Sequence, residues 1–307
     1  MAEQASAATQ SGYPKLGFVL LAMLTFFWGI NWPFMKIVLG ELPVWWFRMS
    51  CLWVGSAGLM VAATLSGNSL KVKLSEIGPL MLCALFGMVG WHLFSAYGLS
   101  QIPAGRAVII AFTMPVWAAL WAIWLLGESM TREKFFGLGF GLAGLAVLMG
   151  GDIMVWRAAP IGVLLMLCAA ASWALGTVLF KKFTWSMPVV TNIAWQLSIA
   201  AVPVTIGAVL LEPFPDVANL SSKAVWSLLY VYMFPMIFCQ WAFFKVVGLF
   251  PATVAAVGTL AIPVVGVYSS ALVLGEPVGV QEFAAMVMIC LALAFVLVLP
   301  NLKSQKL

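Results

Sequence analysis

Residues 103–128 read PAGRAVIIAFTMPVWAALWAIWLLGE, and residues 251–276 read PATVAAVGTLAIPVVGVYSSALVLGE. Each run matches the roughly twenty apolar residues needed to cross a bilayer. Each opens on a proline, carries a second proline twelve positions on and closes with Gly-Glu. A shift of 148 lays Pro103, Ala104, Ala107, Pro115, Leu126 and Gly127-Glu128 on Pro251, Ala252, Ala255, Pro263, Leu274 and Gly275-Glu276. A shift of 145 lays Gly17, Trp28, Lys36 and Pro43 on Gly162, Trp173, Lys181 and Pro188. The chain thus reads as two like halves.

Working outward, similar apolar runs lie near 16–38, 43–66, 76–99, 103–126, 134–150, 160–181, 188–211, 224–248, 251–274 and 280–299. Only 8% of the 307 residues are charged and 64% are hydrophobic, against roughly 25% charged in a soluble domain. The basic residues test the count, because cytoplasmic loops keep an excess of Lys and Arg. Ten spans put Lys15, Lys71, Lys73, Arg132, Lys134, Lys181, Lys182, Lys245, Lys303 and Lys306 on one side. Lys36, Arg48, Arg106, Arg157 and Lys223 fall on the other. Both termini are therefore expected in the cytoplasm, with the chain integral to the inner membrane.

The expected fold is all-α: ten transmembrane helices in two five-helix repeats, 16–150 and 160–299, flanked by cytoplasmic tails at 1–15 and 300–307. Five is odd, so the second copy enters the membrane from the opposite side. Inverted repeats of this kind are a transporter architecture, with the substrate near the bilayer midplane on the repeat interface.

Residues that meet on that axis are the candidate site. Pro115 and Pro263 lie about 18 Å into their spans at 1.5 Å per residue, and each deprives a carbonyl four residues earlier, of Ala111 or Thr259, of its amide partner. Such carbonyls must face protein or a wet cavity rather than lipid. Packing kinks are the plainer reading, and a polar cavity the functional one. In span one, Trp28, Asn31, Trp32 and Met35 follow i, i+3, i+4, i+7 spacing and share a face. The matching face of span six carries Trp173, Gly176, Thr177 and Phe180. His92, the only histidine, lies mid-span in helix three, and Gln240 occupies the equivalent place in helix eight. His92 either carries a proton near neutral pH or donates an ordinary hydrogen bond. Arg48 and Arg106, just inside their spans, are read as snorkelling to the interface, or else as attracting a carboxylate to an outer vestibule.

Several classes are disfavoured. Gly139–Gly144 spells GxGxxG inside an apolar span with no preceding strand, so it reads as small-residue helix packing. No phosphate loop occurs, and all ten acidic residues fall in loops or at span ends, so neither an ATP-driven pump nor a buried carboxylate relay is expected. Five cysteines lie in apolar runs without metal-type spacing, and no cofactor or metal is expected. No basic arm argues for nucleic acid, and no leader with a cleavage site precedes the first run. An enzyme would need acid-base groups that the short loops do not offer.

These features resemble the drug/metabolite transporter superfamily and, within it, the ten-helix EamA-type permeases. The resemblance rests on Trp28-Gly29 opening span one, the Pro103–Pro115 helix and the Gly127-Glu128 ending. Each is echoed at Trp173-Ala174, Pro251–Pro263 and Gly275-Glu276. It is strongest to the YddG-type amino-acid exporters, and implies a central cavity lined by helices one, three, four, six, eight and nine, with five and ten peripheral. Carried over by position, Trp28, His92, Tyr97, Phe112, Met114, Trp173 and Gln240 become cavity candidates, joining Asn31, Thr177 and Thr259. Phe112 and Met114 stand before Pro115 where that group has a tryptophan. The small four-helix multidrug exporters of the superfamily depend on a first-helix glutamate that span one lacks.

The expected function is facilitated, alternating-access export of small neutral or aromatic amino acids, with Pro115 and Pro263 as hinges. The alternative is transport of other small metabolites or drugs, with His92 as the group that would couple it to protons. The expected partners are that solute and membrane lipid, with the chain acting as a monomer or a homodimer.

Overall fold

A computed structural model describes residues 15–150, 160–249 and 261–295, and every regular element among them is helical. The first half comprises α1 (Lys15–Gly29), α2 (Asn31–Leu39), α3 (Val44–Leu65), α4 (Leu74–Cys83), a π-helical stretch π1 (Ala84–Gly90), α5 (Trp91–Gln101), α6 (Ala104–Ala111), α7 (Met114–Leu126) and α8 (Arg132–Gly150). The second comprises α9 (Pro160–Lys182), α10 (Val189–Leu211), α11 (Ser222–Val231), π2 (Tyr232–Phe238), α12 (Cys239–Leu249), α13 (Ala261–Leu274) and α14 (Val280–Leu293).

Seven stretches among the described residues are long and apolar enough to cross a membrane: Lys15–Leu39, Val44–Leu65, Leu74–Gln101, Ala104–Leu126, Pro160–Lys182, Val189–Leu211 and Ser222–Phe243. Two apolar helices, α13 and α14, are shorter, and residues 251–260 and 296–299 of the ninth and tenth expected spans lie outside the described residues. So do Thr259 and nearly all of both expected tails. Large apolar side chains such as Leu65, Leu210, Leu211 and Leu272 stand exposed on the outer surface, as a lipid-facing protein requires.

Local chemistry sets the helix ends. Pro43, Pro103 and Pro188 each precede a helix with extended ψ, of 149°, 142° and 149°; their rings fix φ, and their missing N–H falls where a helix has no partner for it. Gly127 and Gly275 follow α7 and α13 at φ +67° and +71°, a left-handed turn open to glycine without a Cβ clash.

The spans are broken where proline acts. The fourth span stops at Ala111 and restarts at Met114, with Pro115 in the first turn of α7 and the Thr113 hydroxyl donating to the Ile110 carbonyl at 2.7 Å. The first span breaks between Gly29 and Asn31, four residues before Pro33, which can neither donate to the Gly29 carbonyl nor avoid crowding it. The π stretches are separated by 148 positions, the same offset that aligns the two halves.

Packing follows the same pairing. α3 lies along α10, α8 along α14, and α9 crosses π1, α5 and α7; α11 and α12 pack against α1 and α2, and α13 against α1, α2 and α6. Small residues allow the closest approaches. A Cβ at Gly176 of α9 would stand 2.5 Å from the Gly87 amide nitrogen, and one at Gly29 would stand 2.5 Å from Val265 Cβ. Gly141 and Gly144, part of the GxGxxG string, face Val116, Met288 and the Ala285 carbonyl, which is helix packing as expected.

Hydrogen bonds sort the loops into two ends. At one end, the Ser221 amide and hydroxyl donate to Glu41, the Trp45 and Trp46 amides to Glu212, and the Ala104 and Gly105 amides to Glu276. At the other, the Ser186 amide donates to Glu76, Thr191 and Trp195 to the Ser69 and Leu70 carbonyls, and Lys181 to Glu128. Loops that the charge pattern assigns to one side of the membrane meet only loops of that side in these bonds. Most of these carboxylates take up the backbone N–H groups that a helix N-terminus leaves unpaired.

Candidate functional site

The break at Ile30 divides the expected face of span one. Below it, Trp28 turns to the eighth span: its Nε1 donates to the Pro235 carbonyl of π2 at 3.4 Å, and its ring lies 5.8 Å from Phe243. It packs beside the apolar cluster of Leu20, Leu21, Leu24, Cys239, Ala242 and Val246. Beyond the break, Asn31, Trp32 and Met35 face spans two and three. Trp28 and Asn31 therefore meet different partners, on either side of the break at Ile30.

Asn31, His92 and Trp173 each sit beside a run of contacts that links spans one, two, three and six. Trp32 meets Trp91 edge to face at 6.5 Å, and Trp91 lies 5.3 Å from Trp173, so a ladder of three indoles runs from span one through span three to span six. Alongside it, Asn31 Nδ2 donates to Met35 Sδ at 3.2 Å, and the Arg48 guanidinium approaches the same sulfur at 3.6 Å. Arg48 also donates to Ser95 Oγ at 3.1 Å, and that hydroxyl lies 3.4 Å from the carbonyl of His92. Arg48 is 2% exposed and His92 6%. The expectation that Arg48 snorkels to the interface is incorrect: Ser95 and Met35 on neighbouring spans draw it inward, and Phe47 lies 4.8 Å beneath its guanidinium carbon. Three buried atoms in this cluster, Asn31 Oδ1, Arg48 Nε and His92 Nδ1, have no hydrogen-bond partner.

Other candidates lie apart. Tyr97 accepts from Trp45 Nε1 at 2.8 Å near the outer loops. Phe112 and Met114 flank the break in span four, half-buried, with Phe112 against the main core. Thr177 is exposed and donates to its own helix at the Trp173 carbonyl, 2.9 Å away. Gln240 is half-buried on α12, and no hydrogen bond draws it into the cluster. Pro263 is buried in the first described turn of α13. Arg106 pairs with Glu282 at 2.9 Å rather than reaching into water. A separate cleft of about 440 Å³, lined by Trp53, Ser56, Trp195, Ser198 and their neighbours between α3 and α10, contains none of the expected site residues.

Two functional features are absent from the expectations. Pro33 breaks span one as Pro115 breaks span four, and its signal is a proline within an apolar run. Lys36 donates to the carbonyls of Leu99, Ser100 and Ile102 at 2.6, 3.1 and 2.9 Å, capping the otherwise unpaired end of α5. At the opposite end, the Lys181 and Lys134 ammonium groups hold the Glu128 carboxyl below the usual carboxylate range. The Ser221 hydroxyl and amide do the same for Glu41.

Comparison with known proteins agrees with this architecture. The chain is 33% identical over 292 residues to the uncharacterized transporter YvbV of Bacillus subtilis, covering 94% of this chain and 92% of that one. It is 26% identical to a probable amino-acid metabolite efflux pump of Salmonella typhimurium, covering 90% and 92%. A solved crystal structure at 20% identity superposes with a TM-score of 0.64 over 93% of this chain and 98% of that one, a likeness of fold. The sequence profile of the EamA-like transporter family matches twice, at residues 15–150 and 160–298. Two matches that together fill nearly the whole chain, on an all-helical membrane protein, show that it belongs to the EamA-like transporter family, within the drug/metabolite transporter superfamily.

Proposed function

We propose that this transporter exports small neutral or aromatic amino acids across the inner membrane by alternating access, with two inverted five-helix repeats rocking about Asn31, His92 and Trp173. The observation that carries the reading is the matched pair of π stretches, 148 positions apart, each crossed by the first helix of the other half. A π turn misaligns the i to i−4 ladder and gives a helix a place to reshape, as such turns often do at functional sites. Gly127 and Gly275, with like φ at the same offset, support the repeat. The two-ended sorting of loop contacts supports ten crossings with both termini in the cytoplasm.

The polar groups at the indole ladder suit a solute with an apolar body and a charged end. The amino-acid class is supported by the relatives named as amino-acid metabolite efflux pumps. Uniport is the simpler energetics, because the sequence carries no phosphate loop and its acidic residues all fall in loops or at span ends. Proteoliposomes containing only this protein provide the test. Neutral amino acids should equilibrate without ATP or a pH gradient. Flux appearing only under an imposed pH gradient excludes uniport, and no amino-acid flux with robust flux of another solute class excludes the substrate assignment.

A further inference from the structure

We infer that Arg48, with His92, forms a carboxylate-binding site in the outer half of the membrane that holds the substrate's acidic end. Arg48 starts about 6 Å into α3 and His92 lies about 14 Å from the end of α5, at 1.5 Å per residue. A guanidinium keeps its charge in a protein interior, and a buried charge without a counter-ion is costly. Yet the ion pairs among the described residues, Arg106–Glu282, Lys134–Glu128 and Lys181–Glu128, leave Arg48 out. Its neighbours are a serine hydroxyl, a thioether, a cysteine thiol and a phenyl ring, all neutral and mostly weak acceptors.

The unpartnered buried atoms show which ligand chemistry would suit them. Arg48 Nε is a donor, His92 Nδ1 a donor in one tautomer, and Asn31 Oδ1 an acceptor. A carboxylate accepts bidentately from a guanidinium fork, and an ammonium group one carbon away suits an amide oxygen. The set thus complements an α-amino acid, with its side chain left to the Trp32–Trp91–Trp173 ladder. Arg48 and His92 are buried in the described state, so the ligand reaches them when the outer halves of the spans separate, and Ser95 and Met35 hold the guanidinium meanwhile. This inference rests on the amino-acid reading above and deepens it.

The test compares L-leucine, 4-methylpentanoate, which lacks the amine, and L-leucinol, which lacks the carboxylate, on the full-length protein and its Arg48→Met and Arg48→Lys variants. Leucine and 4-methylpentanoate should raise the thermal midpoint of the wild type in detergent, and leucinol should not, because only ligands of the native state stabilise it. Arg48→Met should leave the ligand-free midpoint equal or higher, abolish both shifts and lower the ratio of leucine to leucinol flux in liposomes at least tenfold. Arg48→Lys, keeping charge but losing the fork, should fall between. A lower ligand-free midpoint in Arg48→Met with both fluxes reduced equally overturns the site in favour of a structural arginine. An unchanged leucine-to-leucinol ratio in that variant overturns it while leaving amino-acid transport intact. A wild type that moves no amino acid, yet is stabilised by 4-methylpentanoate through Arg48, upholds the anion site and removes the amino-acid reading instead.

Discussion

Gly87 and Gly176 touch where α9 crosses π1, yet alanine at the two positions should have opposite effects. A Cβ at 176 would point into the backbone of Gly87, 2.5 Å from its nitrogen and closer to its Cα, so the helices must part by about 1 Å to reach ordinary contact. Overpacking of this kind costs roughly 1–3 kcal/mol, reduced by about 0.5–1 kcal/mol from the better helix propensity of alanine. Gly176→Ala should therefore destabilise by up to about 2.5 kcal/mol. A Cβ at 87 meets Gly176 Cα only at 3.6 Å and Gln196 Oε1 at 3.8 Å, ordinary contacts, so Gly87→Ala should be neutral or slightly stabilising. Gly78→Ala, with nothing within 4 Å, is the control. Thermal or denaturant unfolding in one detergent, beside flux in liposomes, makes the comparison, and flux should fall in Gly176→Ala if the proposed rocking of the halves passes through this crossing. If Gly176→Ala matches Gly87→Ala in stability and flux, the crossing is not backbone-tight and the pivot argument fails.

Removing the Lys36 ammonium in Lys36→Met leaves three carbonyls of the 99–102 segment without their donor and should cost about 1–3 kcal/mol, with Lys36→Arg restoring part of it; an unaltered unfolding midpoint in the methionine variant counts against the cap. The Glu128 carboxyl is held below its unfolded value by Lys181 and Lys134, so its stabilising contribution is present above about pH 4.3 and is lost as pH falls through the lower folded value. Glu128→Gln should flatten the acid limb of stability against pH, and an identical limb in both proteins would show that the carboxylate contributes nothing. Trp173→Ala should lower flux while the protein still accumulates, because the half-buried ring's contact is with Trp91. Trp28→Ala should lower thermal stability as well, because that ring covers the Leu20–Leu24–Val246 cluster. Single cysteines at Ser69 and Asn219, on a background lacking the five native ones, should label from opposite sides of the membrane. Labelling from the same side would contradict the ten-span order.

Much of the site was legible as residue types without their partners. His92, Asn31 and Trp173 stand out in sequence because polar or aromatic groups deep in an apolar run need a reason to be there. Their neighbours were not legible, because those are Met35, Ser95 and Trp91, whose positions carry no distinctive pattern. Trp28 shows the limit in another way: i, i+3, i+4 spacing places it with Asn31 only if the helix is continuous, and Pro33 interrupts it. Arg48 was misread because its distance from the span end suits snorkelling, whereas the direction of its side chain is set by which helix lies beside it.

Composition and the run lengths by themselves determined a helical membrane protein, because a chain so poor in charge must satisfy every backbone amide internally within lipid. The recurrence of proline and Gly-Glu at one offset determined that two like halves exist. Tertiary structure alone decided that span-end carboxylates serve as caps for helices distant in sequence. It also decided that a buried arginine rests on a thioether and a serine, without a counter-ion among the described residues. Both are matters of which helices lie side by side, and hydrophobic periodicity, which reports only that a face is buried, carries no record of its neighbour.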